Sequence, residues 1–312
     1  VAGGQRQEGI PRALQPMVRP MTNPLKVALI GANGQLGSDI AKHFADCDRY
    51  QFTPLNRADI DIRQEESVHQ VLTSQKFDVV INSAAYVRVD DCEQEVETAF
   101  AVNAFGALHI ARACREIDAL CVYISTDYVF RGDRPSPYTE SDLADPVNIY
   151  GASKFTGENL VRQTTPRSLI LRISSVFGKA GASGKGGNFI ETIIKKAKAG
   201  DPLKVVNDMF MSPTYTYDAA RLLDALLQSG TTGIVHGANA GSCSWYEFAT
   251  QALELAHISH PIASIPASAF PTKATRPMNS ALVSDRLESI TTFKMRPWQE
   301  ALTAYLEEKS YR

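Results

Sequence analysis

The 312-residue chain lacks a disulfide framework: Cys47, Cys92, Cys114, Cys121 and Cys243 form no CxxC pair and no metal-ligand cluster, and an odd number leaves one over. Free thiols in a reducing, cytoplasmic setting are expected. No apolar run approaches the ~18 residues that span a bilayer, which argues against a membrane partner. An excess of one charge is also absent. The formal net charge is −2, so no bulk attraction to nucleic acid or anionic lipid follows. His257 and His260 stand three apart without companion ligands, so no metal site is assigned and a Mg²⁺ requirement is left open. No internal repeat is visible. With 44% hydrophobic and 21% charged residues, the chain reads as globular, long enough for one large or two modest domains.

Residues 1–24 are rich in Gly, Pro, Gln and Arg and lack the apolar core of a signal peptide, so a disordered tail is expected there. Met21, just before Thr22-Asn23-Pro24, is expected to be the natural start of translation.

From Lys26 onward the chain alternates short apolar runs (26–30, 51–55, 78–81, 120–124, 168–173) with helical patterns (36–44, 65–72, 92–117, 149–162). That alternation predicts βαβ units and an α/β fold with a doubly wound parallel sheet of the Rossmann kind. After Val176 the character changes: a Gly-rich stretch at 179–187, a helix over 189–199, and Pro-punctuated segments near Pro261, Pro266, Pro271 and Pro277. A helix at 218–227 and a strand at 233–235 are placed back in the first domain. The expected division is a dinucleotide-binding domain of 25–176 plus about 212–240, and a smaller mixed α/β substrate domain of about 177–211 plus 241–312.

Gly31-Ala32-Asn33-Gly34-Gln35-Leu36-Gly37 follows the first strand and opens a helix. In that context the glycines let the backbone approach a pyrophosphate, whose charge meets the helix N-terminus. After the second strand stands Asn56-Arg57, where an acid would grip a ribose 2′-hydroxyl. An arginine suits a 2′-phosphate instead, favouring NADPH over NADH. Asp61-Ile62 follows, with a carboxylate able to accept from the adenine amino group.

Tyr150 and Lys154 are four apart on a predicted helix and share a face. Tyr305 and Lys309 repeat that spacing, so context distinguishes the first pair. Ser125-Thr126-Asp127 ends the run beginning at Leu120, where ligands of an open α/β sheet collect. An ammonium at Lys154 is expected to lower the Tyr150 pKa. Tyr150 then protonates a reduced carbonyl oxygen while the Thr126 hydroxyl donates a hydrogen bond to it.

These motifs, with Asn82-Ser83-Ala84-Ala85, Val89-Asp90, Asn103-Ala104-Phe105-Gly106, Pro146-x-Asn148-x-Tyr150-Gly151-x-x-Lys154, Gly187-Asn188-Phe189, Ser212-Pro213-Thr214 and Arg276-Pro277-x-Asn279-Ser280, occur in one order from about Leu25 to the C-terminus. In that order the chain resembles the extended short-chain dehydrogenase/reductases and, within them, the dTDP-4-dehydrorhamnose reductases. The resemblance implies NAD(P)H reduction of dTDP-4-dehydro-β-L-rhamnose to dTDP-β-L-rhamnose. It places the active-site trio on Thr126, Tyr150 and Lys154, and cofactor contacts on Gly34, Gln35, Leu36, Asp61, Ile62, Ala85, Tyr86 and Lys154. Gly31, Asn33, Gly37, Asn56, Arg57, Ala84 and Asn103 are added as candidate cofactor residues. Thr126, Asp127, Ser175, Asn188, Arg276 and Asn279 are candidates for the sugar nucleotide, Arg276 and Asn279 being open also to a role in crossing between lobes. The expected partner is this small molecule alone, with the protein a monomer or homodimer.

The chain departs from many relatives in having Ser174-Ser175 where they carry Ser-Trp, Asp208-Met209-Phe210-Met211 before Ser212-Pro213-Thr214, and Val87 in place of a threonine. The sugar pocket is therefore expected to differ more than the nicotinamide chemistry. Two alternatives remain: a different nucleotide-sugar reductase or epimerase, and a non-catalytic subunit resembling the regulatory beta subunit of methionine adenosyltransferase.

Overall fold

The computed structural model describes residues 24–181 and 187–311. The expected tail and most of the 179–187 stretch lie outside the described residues.

Strand β1 (Leu25–Ile30) is followed by the Gly-rich turn and helix α1 (Gln35–Ala45), then by β2 (Tyr50–Leu55), α2 (Glu65–Gln75) and β3 (Val79–Asn82). The single helix expected over 92–117 is instead divided into α3 (Val89–Cys92), α4 (Val96–Phe100), one π-helical turn (Ala101–Phe105) and α5 (Gly106–Glu116). The break falls at Glu95, whose ψ of 47° leaves the helical region, and neither Gly nor Pro marks it in sequence. The wide turn has a structural partner: the Tyr123 hydroxyl donates to the Asn103 carbonyl at 2.7 Å. Next come β4 (Leu120–Thr126), α6 (Ile149–Thr164) and β5 (Ser168–Ile173).

The chain then passes through β6 (Val176–Phe177), α7 (Phe189–Ala199), β7 (Leu203–Val206), β8 (Phe210–Met211) and β9 (Thr214–Tyr215). It returns as α8 (Thr216–Gln228) and β10 (Gly233–His236). The C-terminal part adds β11 (Cys243–Ser244), α9 (Trp245–Leu255), β12 (Ile262–Ile265), α10 (Leu287–Ile290) and α11 (Trp298–Glu308).

Six parallel strands form the main sheet in the order β2-β1-β3-β4-β5-β10, bearing out the expected α/β fold. Alternate strand residues point to opposite faces. Val27, Leu29, Ile81 and Val122 meet Ile40 and Phe44 of α1 and Leu222 and Leu226 of α8 on one side. Ala28, Ile30, Val80 and Cys121 meet Val68 and Leu72 of α2 and Ile110 of α5 on the other. Strand order reverses between β1 and β3, which opens a crevice at their carboxyl ends where ligands of such sheets bind.

A second core gathers Phe177, α7, Leu203, Met211, Tyr215, α9 and α11. Both of its leading helices begin with reciprocal caps, Asn188 with Glu191 and Ser244 with Glu247, which fix where their first residues point. On these two cores we propose the division into 25–176 plus about 212–240 and about 177–211 plus 241–312, with Leu287, Ile290, Phe293 and Met295 reaching back onto the sheet-side core.

Candidate active site

The Gly-rich turn occupies the reversal point. Gly31 has φ +85°, and a Cβ there would lie 2.8 Å from the Ala84 amide nitrogen; a Cβ on Gly37 would run into the Gly31 carbonyl oxygen. Helix α1 begins at Gln35 with no side-chain cap on its N-terminus, leaving first-turn N–H groups and the positive dipole end for an anion. Asn33 lies exposed in the turn.

Beside it, Gly31, Asn56, Arg57, Asp61, Ile62 and Tyr86 line a pocket of about 260 Å³ together with Ala84 and Ala85. The buried Asn56 Oδ1 has no hydrogen-bond partner, as expected of an acceptor built for a ligand. Arg63, which the sequence analysis did not single out, also lines this pocket. It grips the Asp61 carboxylate through Nε at 2.9 Å and Nη2 at 2.6 Å. That hydrogen-bonded guanidinium holds the Asp61 pKa down to about 2. An adenine amino group would share this carboxylate with Arg63. The pocket's shape, its glycine cradle and its orphaned acceptor fit the adenosine half of a dinucleotide.

Ala85 joins that pocket to a cleft of about 450 Å³. Gln35, Leu36, Thr126, Asp127, Tyr150 and Lys154 line it, together with Ser175 and Asn188. Tyr150 and Lys154 arrive on α6, whose first turn is capped by Asn148 Oδ1 accepting from the Gly151 N–H at 2.8 Å.

Lys154 is 2% exposed; its ammonium donates to the Ile124 carbonyl at 2.6 Å and sits 3.9 Å from the Tyr123 ring centroid. Burial pushes its pKa down to about 7, against the opposing pull of Glu158. The Tyr150 phenol is raised above its ordinary value by burial, with the Thr126 hydroxyl acting in the lowering direction and Asp127 in the raising one. The expectation that Lys154 lowers the Tyr150 pKa is therefore not met: burial dominates, and the ammonium is engaged by a carbonyl.

Thr126 Oγ donates to Asp127 Oδ1 at 3.0 Å, and Ser174 Oγ donates to Asp127 Oδ2 at 2.9 Å. Burial raises the Asp127 carboxyl to about 6 even though the Ser280, Ser174 and Thr126 hydroxyls favour its ionised form. Beneath this layer Ser125 donates to Glu158, which pairs with Arg172 at 2.9 and 2.6 Å, both side chains being buried.

Four candidates are committed to protein contacts, the first being Asn188, which accepts from the Glu191 N–H and donates to the Gly178 carbonyl and the Tyr305 hydroxyl. Asn103 is buried and bonds the Tyr86 N–H, the Tyr86 carbonyl and Ser153, so it shapes the segment after β3 instead of facing open space. Asn279 donates to the Arg134 and Ser136 carbonyls and accepts from the Ala281 N–H. Arg276 makes a two-point ion pair with Asp90 at 3.0 and 2.8 Å, tying the C-terminal segment to α3, while still lining a third cleft of about 620 Å³.

Trp245, Phe189 and Tyr128 also line the active cleft and were not selected from sequence. The capping signature Ser244-x-x-Glu247 was available there and places Trp245 at the first helical position. Among the described residues no group of three or more His, Cys, Asp or Glu side chains is placed to hold a metal ion, and no helix is long and apolar enough to cross a membrane.

A parallel doubly wound sheet whose reversal-point pocket opens into a cleft with Thr, Tyr and Lys defines an NAD(P)-dependent oxidoreductase of the extended short-chain type. Comparison with known proteins narrows this. The chain belongs to the family described as the RmlD substrate binding domain, whose model matches residues 25–311. It is 40% identical over 285 residues to the spore coat polysaccharide biosynthesis protein SpsK of Bacillus subtilis (strain 168), covering 91% of this chain and 98% of that protein. It is 35% identical to the dTDP-4-dehydrorhamnose reductase of Aggregatibacter actinomycetemcomitans, over 89% of this chain and 97% of that one. A dTDP-4-dehydrorhamnose reductase from Bacillus anthracis str. Ames, solved in complex with NADP, superposes with a TM-score of 0.87 at 35% identity, covering 91% of this chain and 99% of that one.

Proposed function

We propose that this enzyme reduces the 4-keto group of a nucleotide-linked sugar, converting dTDP-4-dehydro-β-L-rhamnose to dTDP-β-L-rhamnose with NADPH or NADH as reductant. The observation that carries the reading is the union, through Ala85, of the adenosine-shaped pocket with the cleft holding Thr126, Tyr150 and Lys154. Arg57 at the adenosine pocket supports preference for NADPH.

When bound, the dihydronicotinamide supplies the hydride that the keto carbon accepts. The carbon–oxygen π pair then moves onto oxygen, and Tyr150 delivers its phenolic proton there, giving the alcohol. Burial suits Tyr150 to this direction, because a phenol raised above its ordinary pKa is fully protonated at neutral pH. Thr126, whose hydroxyl proton rests on Asp127 in the ligand-free protein, turns it to the same oxygen as charge builds. Lys154, anchored on the Ile124 carbonyl, completes the trio and supplies a buried cation to the same cleft. Asp127 stands beside Thr126 as a sugar contact. The enzyme acts in the cytoplasm as a monomer or homodimer, a setting supported by its five free cysteines.

The test is absorbance at 340 nm with NADPH and separately NADH, the keto sugar being generated in situ from dTDP-glucose by the preceding dehydratase and epimerase. Sugar-dependent oxidation that falls about 100-fold or more in Tyr150→Phe is expected. Cofactor binding without oxidation would reject this substrate.

A further inference from the structure

The active cleft and the larger third cleft share Tyr128, Phe189, Thr192 and Trp245 as walls, so the two form one continuous groove with an aromatic neck. The neck is built by the C-terminal lobe. Phe189 opens α7 and Trp245 opens α9, each fixed by its reciprocal cap. The two rings meet edge to face with centroids 4.7 Å apart, and Phe189 is backed by Phe248, so the indole rests on a supported ring. Ser175 lines the same cleft and offers a hydroxymethyl and no ring. Trp245 is half-buried, so part of its indole faces the groove. An aromatic face and an indole N–H therefore meet where the catalytic cleft opens into the third cleft.

We infer that Trp245 is a specificity-determining residue for the sugar: its ring packs against the apolar face and 6-methyl group of the deoxysugar, and its N–H donates to a sugar or diphosphate oxygen. The inference rests on the keto-sugar reading above. A 6-deoxy sugar has apolar surface that an indole can cover, and the supported Phe189–Trp245 pair adds a broad aromatic face to a wall that otherwise offers smaller apolar groups such as Val87, Val89 and Val176.

The chain has only two tryptophans, and Trp298 is buried against Phe248, so ligand-dependent indole emission reports on Trp245. Titration of the NADP-loaded enzyme with dTDP-β-L-rhamnose is expected to change that emission saturably, and the change should vanish in Trp245→Phe while the Trp298 emission stays. In kinetics, Trp245→Ala is expected to raise KM for the keto sugar about tenfold with KM for NADPH unchanged, and Trp245→Phe to hold KM within about threefold. An unchanged sugar KM in Trp245→Ala, a ligand response that survives in Trp245→Phe, or an equal response to dTDP alone would each overturn the inference while leaving the reductase assignment standing. Absence of sugar-dependent oxidation in the wild-type enzyme would instead remove the reading beneath it.

Discussion

Replacing Asp127 by Asn separates the stability of this enzyme from its activity in a pH-dependent way. Asp127 is 3% exposed and burial holds its pKa at about 6 against an ordinary 3.8, so folding favours its neutral form. A raised carboxyl contributes its stability below the unfolded pKa and loses it as pH rises through the folded one. At pH 8 ionisation of Asp127 thus opposes folding by about 3 kcal/mol, from roughly two units at 1.36 kcal/mol each. At pH 5 the opposing contribution is about half that, because the native carboxyl is still largely protonated. Asparagine keeps the shape and removes the charge, and the Thr126 and Ser174 hydroxyls that now donate to the carboxylate can rotate to accept from its amide. Urea unfolding of the ligand-free proteins at pH 5 and pH 8 is therefore expected to show the variant gaining on the wild type by about 1 kcal/mol between the two, with reductase activity lowered. A difference independent of pH, or a variant that loses ground as pH rises, would refute the reasoning.

Lys154 titrates near pH 7 in the ligand-free protein, so kcat/KM for the cofactor should fall as pH rises through that value and the ammonium is lost; a flat profile from pH 6 to 8.5 would exclude it. Arg57→Ala should lower kcat/KM about tenfold with NADPH and leave NADH little changed, as measured by paired cofactor titrations. Gly37→Ala pushes a methyl into the Gly31 carbonyl and should weaken NADPH binding by about tenfold in a fluorescence titration. Arg172→Met leaves Glu158 buried without its partner, at a cost of about 3–5 kcal/mol in urea unfolding.

Much of this was legible in the residues because buried parallel strands and amphipathic helices write different periods. The strand expected at 168–173 and the helix expected at 189–199 lie where they were placed, and the Gly31 turn announced itself by what surrounds it. The division of 92–117 was hidden, since a π-helical turn is stabilised by Tyr123 across the fold and carries no local signature. The engagement of Asp61 by Arg63 and of Arg276 by Asp90 was equally hidden, because a carboxylate gripped by a guanidinium reads in sequence like one free to meet a ligand. Trp245 went unnoticed for a different reason. It lies far from the motifs in the chain, and only folding carries the start of α9 to the cleft.

The pairing of β5 with β10 sets the order in which a nascent chain can complete itself. Five strands leave the ribosome in sequence and can assemble with β5 as an open edge, but that edge stays bare until His236 has emerged. Helix α7 is synthesised in the interval and must wait longer still, because its apolar face is covered by α9 and by α11, which ends at Glu308. Among the described helices the one made latest is thus the one that closes the smaller core. A stalled or prematurely terminated product would carry a nearly finished sheet beside an unsealed helix, the species a cell's chaperones would have to shield.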